Sequence, residues 1–329
     1  MDYQLKKRDI QPNRIKPGKI RMNRRRITDI FQIDSSVSLW SEVTEILRLI
    51  SSSFPTDSIR PVFNSVNDLY HGNFPGYRAC NTGYHDFRHA TATFLAMTRL
   101  IHGAALDNCV FSASNVVAGL AAAILHDVGY IQESDDREGT GAKHKALHEQ
   151  RSMDFLSRHG KAFGLSADEI SAGRSIISCT DMQKDIGSIA FASRQIKLLG
   201  KLLASADLLA QLSDQIYLEK LLFLVHECRE AGVGNYKRES DIIEKALPFY
   251  DVFEDRLKSL KLNTDRYMRS HFDSRSKIDE NLYRVAIKRH KKYLTGILSS
   301  KDADPRHHLR RGGIVATVRR QYGNQDCSN

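Results

Sequence analysis

Three imidazoles and a carboxylate stand in the order H-x3-H … H-D. His85 and His89 lie four apart in Tyr84-His85-Asp86-Phe87-Arg88-His89, and His126-Asp127 follows after a helix-length interval. Residues four apart on a helix share one face. His126-Asp127 closes the apolar run Val116 to Leu125, and a helix ending in His-Asp offers both groups to a cleft. Neutral imidazoles, with an anionic oxygen able to bridge two ions, are the donor set of a divalent-metal site. The chemistry they suit is metal-dependent hydrolysis. Asp207 adds to the set. It falls inside the apolar run Leu198 to Leu209, and a carboxylate on a buried face needs a metal, an Arg or a Lys as partner. His144 and His148 form a second i, i+4 pair, and Thr180-Asp181-Met182 follows the next helix. Taken singly, each has a plainer reading, since a lone helical histidine is ordinarily a surface or core residue and Asp207 can cap a turn. The ordered set His89, His126, Asp127, Asp207 carries the argument.

The elements that must position these groups read as helices. Ser36 to Ile50 carries Leu39, Trp40, Val43, Ile46, Leu47 and Ile50 at helical spacing, and Phe54-Pro55 stops it. A loop rich in Gly, Asn and Pro runs from His71 to Gly83, and a helix over about 86–102 follows. Ser114 is the expected cap of the helix that ends at His126-Asp127. A loop over 132–141 precedes a helix over about 143–159, and Ser166-Ala167-Asp168-Glu169 has capping-box form. Apolar periodic stretches follow at about 188–208, 214–231, 239–260 and 278–298. No strand alternation, internal repeat or inner linker is visible. The expectation is an all-α fold with one domain over residues 30–300, flanked by basic, flexible arms at 1–29 and 301–329.

Composition agrees with a folded, soluble chain: 41% hydrophobic and 27% charged over 329 residues. No apolar run approaches the ~20 residues that span a bilayer. The basic, polar N-terminus lacks the apolar core of a secretory signal. Five scattered cysteines without a CxxC read as reduced thiols, so the expected location is the cytoplasm. The net charge of +10 belongs to the ends. Residues 1–26 hold ten Lys/Arg against two Asp, and residues 301–329 hold six against three, which leaves the middle near neutral. Such arms can contact nucleic acid or an anionic lipid surface.

The order H … HD … D resembles that of the HD superfamily of metal-dependent phosphohydrolases. The chain is similar in particular to the catalytic domain of class I 3′,5′-cyclic nucleotide phosphodiesterases. Where those carry Y-H-N-x-x-H-A, this chain has Tyr84-His85-Asp86-Phe87-Arg88-His89-Ala90. Their L-x-H-D is matched by Ile124-Leu125-His126-Asp127, their T-D-M by Thr180-Asp181-Met182, and their A-D-L by Ala206-Asp207-Leu208. These four motifs span about residues 80–210. The resemblance implies a compact HD/PDEase-like helical bundle with a metal site in a central cleft. It implies that His89, His126, Asp127 and Asp207 hold a tightly bound metal, Zn or Fe/Mn. Asp127 would bridge to a second ion, Mg or Mn, with a hydroxide between the two as nucleophile, and His85 would be the general acid. The substrate would be a small phosphate ester, foremost a cyclic nucleotide or related phosphodiester.

Departures from the pattern are equally visible. The phosphodiesterases continue as H-D-x-x-H-x-G, whereas Gly129-Tyr130 stands in place of the second histidine segment. His148-Glu149 followed by Ser152 is similar to the H-E-x-x-S segment of general HD hydrolases, which nominates His148 for the second metal, with His144 as substitute. The purine-reading glutamine is missing near Glu244 to Tyr250, although Phe249 or Tyr250 can stack on a base. Tyr84, Arg88 and Lys143 complete the candidate substrate contacts, with Arg151 and Lys184 as further cations near the motifs. Two rival readings follow. One is an HD phosphomonoesterase, nucleotidase or alarmone hydrolase; the other is a non-catalytic HD-fold binding module.

Overall fold

The computed structural model describes residues 35–300 and 304–323; the N-terminal arm expected over 1–29 lies outside the described residues. The described chain is all-α. It contains twelve α-helices, and its sole β feature is an isolated bridge between Tyr77 and Glu133. No described helix is long and apolar enough to cross a membrane. The four described cysteines are free thiols.

Helix α1 spans Ser36–Ile50, the range its periodicity predicts, with the Ser35 side chain capping it and Leu39, Val43, Ile46 and Leu47 buried. Helix α2 (Arg60–Tyr70) begins with a proline at its first turn. Helix α3 (Phe87–Leu106) is capped by the Asp86 side chain, which accepts from the His89 N–H at 2.9 Å. Helix α4 (Ala113–Leu125) starts at Ser112, whose hydroxyl accepts from Asn115 N–H. The expected cap, Ser114, instead donates to Glu169.

The single helix expected over 143–159 divides. A 3₁₀ turn at Gly141–His144 is capped by Thr140, and α5 begins only at His148, running to His159. The Lys143 and His144 side chains turn back to Asp136. Helix α6 (Ala167–Ile177) opens with the capping box read from the sequence. Helices α7 (Arg194–Ser213), α8 (Tyr217–Glu230) and α9 (Ser240–Ser259) follow.

Helix α10 (Thr264–Ser276) has too polar a sequence to announce itself, burying only Thr264, Tyr267, Met268, His271 and Phe272; α11 (Leu282–Leu298) comes next. The segment expected as a loose C-terminal arm is folded over 304–323. Arg306 pairs with Glu239, and α12 (Ile314–Tyr322) buries Ile314 and Val318. Tyr322 stacks on His226 of α8 at 3.8 Å.

Helix α3 is the axis of the molecule. It packs against α1, α4, α7 and α10 and is buried along most of its length. Its approach to α10 is backbone to backbone, because a Cβ on Gly103 would stand 1.8 Å from the Tyr267 carbonyl oxygen. Holding α3, α4 and α7 together fixes the relative positions of His89, His126-Asp127 and Asp207.

Candidate metal centre

His89 occupies the first turn of α3, His126 is the C-cap of α4, and Asp207 lies within α7. Asp127 opens the 3₁₀ turn Val128–Tyr130. Ser152 of α5 clamps this corner, donating to the His126 carbonyl at 2.7 Å and accepting from Gly129 N–H at 2.9 Å. Only glycine fits there, since a Cβ on Gly129 would meet the His148 carbonyl oxygen at 2.0 Å.

The four side chains converge. His89 Nε2 lies 3.2 Å from Asp127 Oδ2 and 3.1 Å from Asp207 Oδ1. His126 Nε2 lies 3.3 Å from Asp127 Oδ2, 3.6 Å from Asp207 Oδ1 and 3.3 Å from His89 Nε2. The buried cluster His89, His126 and Asp127 can hold a metal ion. Two observations fit it to that role. Asp127 Oδ2 is buried yet makes no hydrogen bond, a cost that a cation would remove. His126 Nδ1–H donates to the Ala123 carbonyl at 2.9 Å, so the Nε2 lone pair faces the cluster.

Electrostatics agree. Burial pushes the His89 imidazole down, but Asp127 and Asp207 outweigh it and raise it to about 9. Burial opposes the charge on Asp127, and the His126 and His89 rings nevertheless hold its carboxyl well below the carboxylate range. Positive charge is what this pocket stabilises.

His148 approaches the same aspartate from the other side, its Nε2 3.6 Å from Asp127 Oδ1. Its Nδ1–H donates to the Lys145 carbonyl at 2.6 Å, which again leaves the Nε2 lone pair free. Asp127 therefore directs one oxygen to His89 and His126 and the other to His148. His144, the substitute, faces Asp136 at 3.1 Å and is not part of the cluster.

His85 stands beside the cluster, 8% exposed. Its Nδ1–H donates to Glu227 Oε2 at 2.6 Å, and Glu227 Oε1 accepts from Tyr84 N–H at 2.7 Å. Burial lowers the His85 imidazole and the Glu227 carboxylate partly restores it. Glu227 is a residue the sequence reading missed. Its signal was the one that flagged Asp207, a carboxylate within an apolar helical run, here Leu221 to Cys228.

The expected substrate contacts divide. Tyr84 packs edge-on to His85 at 4.9 Å and lines a small groove with His89, Gln211, Tyr217 and Lys220. Arg88 is bound in a bidentate pair with Asp214 at 2.8 and 3.1 Å. Lys143 is engaged by Asp136 and the Glu138 carbonyl. Arg151 donates to the carbonyls of Gly129 and Ile131. Tyr250, expected to stack on a base, is 1% exposed and packs edge-on behind Tyr217 at 6.4 Å, so its faces are covered. Phe249 is half-buried against the core. Asp181 accepts from Gln183 N–H in a local turn.

Scanned against models of known protein families and against curated protein sequences, the chain matches none.

Proposed function

We propose that this chain is a metal-dependent phosphohydrolase, acting foremost on a cyclic nucleotide or related phosphodiester. The observation that carries the reading is Asp127, which turns its two oxygens to different imidazoles while a carboxylate-supported histidine stands alongside. His89, His126, Asp127 and Asp207 would hold one ion, Zn or Fe/Mn. Asp127 and His148 would hold part of the shell of a second, Mg or Mn. Two such cations supply Lewis-acid polarisation of the phosphoryl group and a nucleophile at neutral pH when bound.

The chain's own residues do the rest. Backbone carbonyls at Ala123 and Lys145 fix the tautomers of His126 and His148, keeping both Nε2 atoms aprotic. Glu227 holds the Nδ1–H of His85, orients the ring and stabilises the imidazolium. The proton on Nε2 is then the one given to the leaving oxygen. The same network supports phosphoester cleavage in general, and the four-motif likeness to the cyclic nucleotide phosphodiesterases favours the diester.

Elemental mass spectrometry of the purified protein, with bis(p-nitrophenyl) phosphate hydrolysis before and after chelation, tests the proposal. About one or two ions per chain are expected, with activity lost on chelation and regained with Mn²⁺ or Mg²⁺. A chain that holds no metal and stays inactive after metal addition is a binding module instead.

A further inference from the structure

Residues 281–323 hold eleven Lys/Arg against two Asp. The charge is concentrated in α11 and in the segment that folds back beside it. Helix α11 alone carries five cations and no carboxylate. Arg284 and Lys291 turn to α9, where they pair with Glu254 and Asp251. Lys288, Arg289 and Lys292 are exposed and, among the described residues, make no side-chain hydrogen bond or ion pair. Positions 288, 289 and 292 are neighbours on one face of a helix, where like charges are destabilising. Nothing in the described chain relieves that repulsion, so the face suits an anion brought from outside.

Beside these cations lies an open concavity of about 410 Å³, lined by Arg289, Lys292, Tyr293, Gly296, Ile297 and His308. Helix α11 forms one wall, and the folded C-terminal segment forms the other. Tyr293 ties the two together: its hydroxyl donates to the His308 carbonyl at 2.6 Å, and its ring faces the Arg311 guanidinium at 5.6 Å. Gly296 adds an independent observation. A Cβ there would meet no atom within 4 Å. Packing among the described residues therefore does not require glycine at a helical position where alanine is more favourable. Its effect is to leave the α11 backbone bare on the concavity, the condition for close approach of a ligand.

We propose that this groove binds a single strand of nucleic acid, with Arg289 and Lys292 on its phosphates and Lys288 extending the positive track along α11. A charged groove with an aromatic side chain open to the strand is the form such a track takes, and Tyr293 is 39% exposed. A bilayer surface fits less well. Membrane-surface helices set several apolar side chains against the lipid. Here Tyr293 is the only large exposed hydrophobic among the described residues of 281–323, and its hydroxyl is tethered. The inference stands apart from the phosphohydrolase reading, because none of these residues belongs to the metal cluster.

Fluorescence anisotropy of a labelled oligouridylate of about 15 nucleotides, titrated with the full-length chain over a series of salt concentrations, tests the groove. Arg289→Gln with Lys292→Gln should weaken binding roughly 10-fold and flatten the slope of log affinity against log salt by about 1.4, at ~0.7 per phosphate contact on a single strand. Residues 1–26 are also basic, so the same charge is removed elsewhere as a control. Lys161→Gln with Arg194→Gln, at two other exposed cations, should change affinity less than about twofold. Gly296→Leu fills the concavity without altering charge. It should weaken binding at least ~3-fold, with an unfolding midpoint no lower than that of wild type. The groove is overturned by a wild type that does not bind, by an equal loss in the control pair, or by full affinity in either groove variant. Tighter binding to phosphatidylserine vesicles than to the oligonucleotide, lost in the same variants, overturns it in favour of a membrane surface.

Discussion

Helix α3 carries two buried histidines near its two ends, and each meets a histidine from another helix. His89 and His126 face each other Nε2 to Nε2 at 3.3 Å, with ring centroids 5.2 Å apart. His102 and His271 meet Nδ1 to Nδ1 at 3.0 Å, with centroids 5.1 Å apart. Residue type, burial and separation are nearly the same. The surroundings are opposite. Asp127 and Asp207 close on the first pair and raise His89 to about 9 against the pull of burial. Burial lowers His102 to about 4 and Arg275 adds to it, while burial together with Arg99, His102 and Arg275 holds His271 well below its ordinary value. Arg275 is itself paired with Glu42 and Glu45, and Arg99 donates to Tyr283 Oη. One imidazole pair is built to receive positive charge, and the other is a neutral strut between α3 and α10. Two buried histidines are not a metal site until carboxylates complete them.

The comparison breaks most sharply at Asp127. Loss of a residue that only supports a ligand costs about 10- to 100-fold in metal affinity, so Asp127→Asn should cost more than ~100-fold and abolish hydrolysis. His102→Leu with His271→Phe should leave metal content unchanged by elemental mass spectrometry. Metal loss in that double variant would show that the second pair is no mere strut.

Glu227→Gln is expected next in size. It should lower kcat by roughly 10- to 100-fold, less than the ~100- to 10,000-fold worth of a general acid, and leave bound metal in place. Because Glu227 raises the His85 imidazole, the fall in activity at alkaline pH should begin at a lower pH in the variant. An unmoved pH profile would assign Glu227 to structure alone.

Acid should then separate the two pairs. His102 has a folded value of about 4, below the ~6.5 of an unfolded chain. The unfolded state therefore takes up the proton first as pH falls, and stability present above pH 6.5 is lost toward pH 4. For a side chain 2% exposed this amounts to roughly 3 kcal/mol. Denaturant unfolding across that window should show the decline in wild type and a flatter profile in the His102→Leu, His271→Phe variant. In chelated protein His89, raised to about 9, should act in the opposite sense. Its contribution is complete below pH 6.5 and is lost as pH rises through 9. The smallest effect sharpens a detail of α4: Ser112→Ala should cost about 1 kcal/mol as a lost cap, and Ser114→Ala less.

Several features could be read directly from the chain. The bounds of α1, the capping box at Ser166 and the apolar run that ends in His126-Asp127 depend on neighbours within a turn or two, and such short-range interactions are written in residue order. The same is true of the all-α class. Other features depend on which helices cross. Glu227 reaches His85 across 142 positions, and α5 closes on the turn after His126-Asp127 only because Gly129 carries no Cβ to meet the His148 carbonyl. Helix α10, too polar to be recognised by its periodicity, is helical where α3 gives it a face to bury. Residue order was enough for helices to form with imidazoles and carboxylates at or near their ends. The packing of those helices on one another settled which histidines met aspartates and which met arginines. The charge state of a buried group is set by partners within a few ångströms, and those partners come from distant parts of the chain.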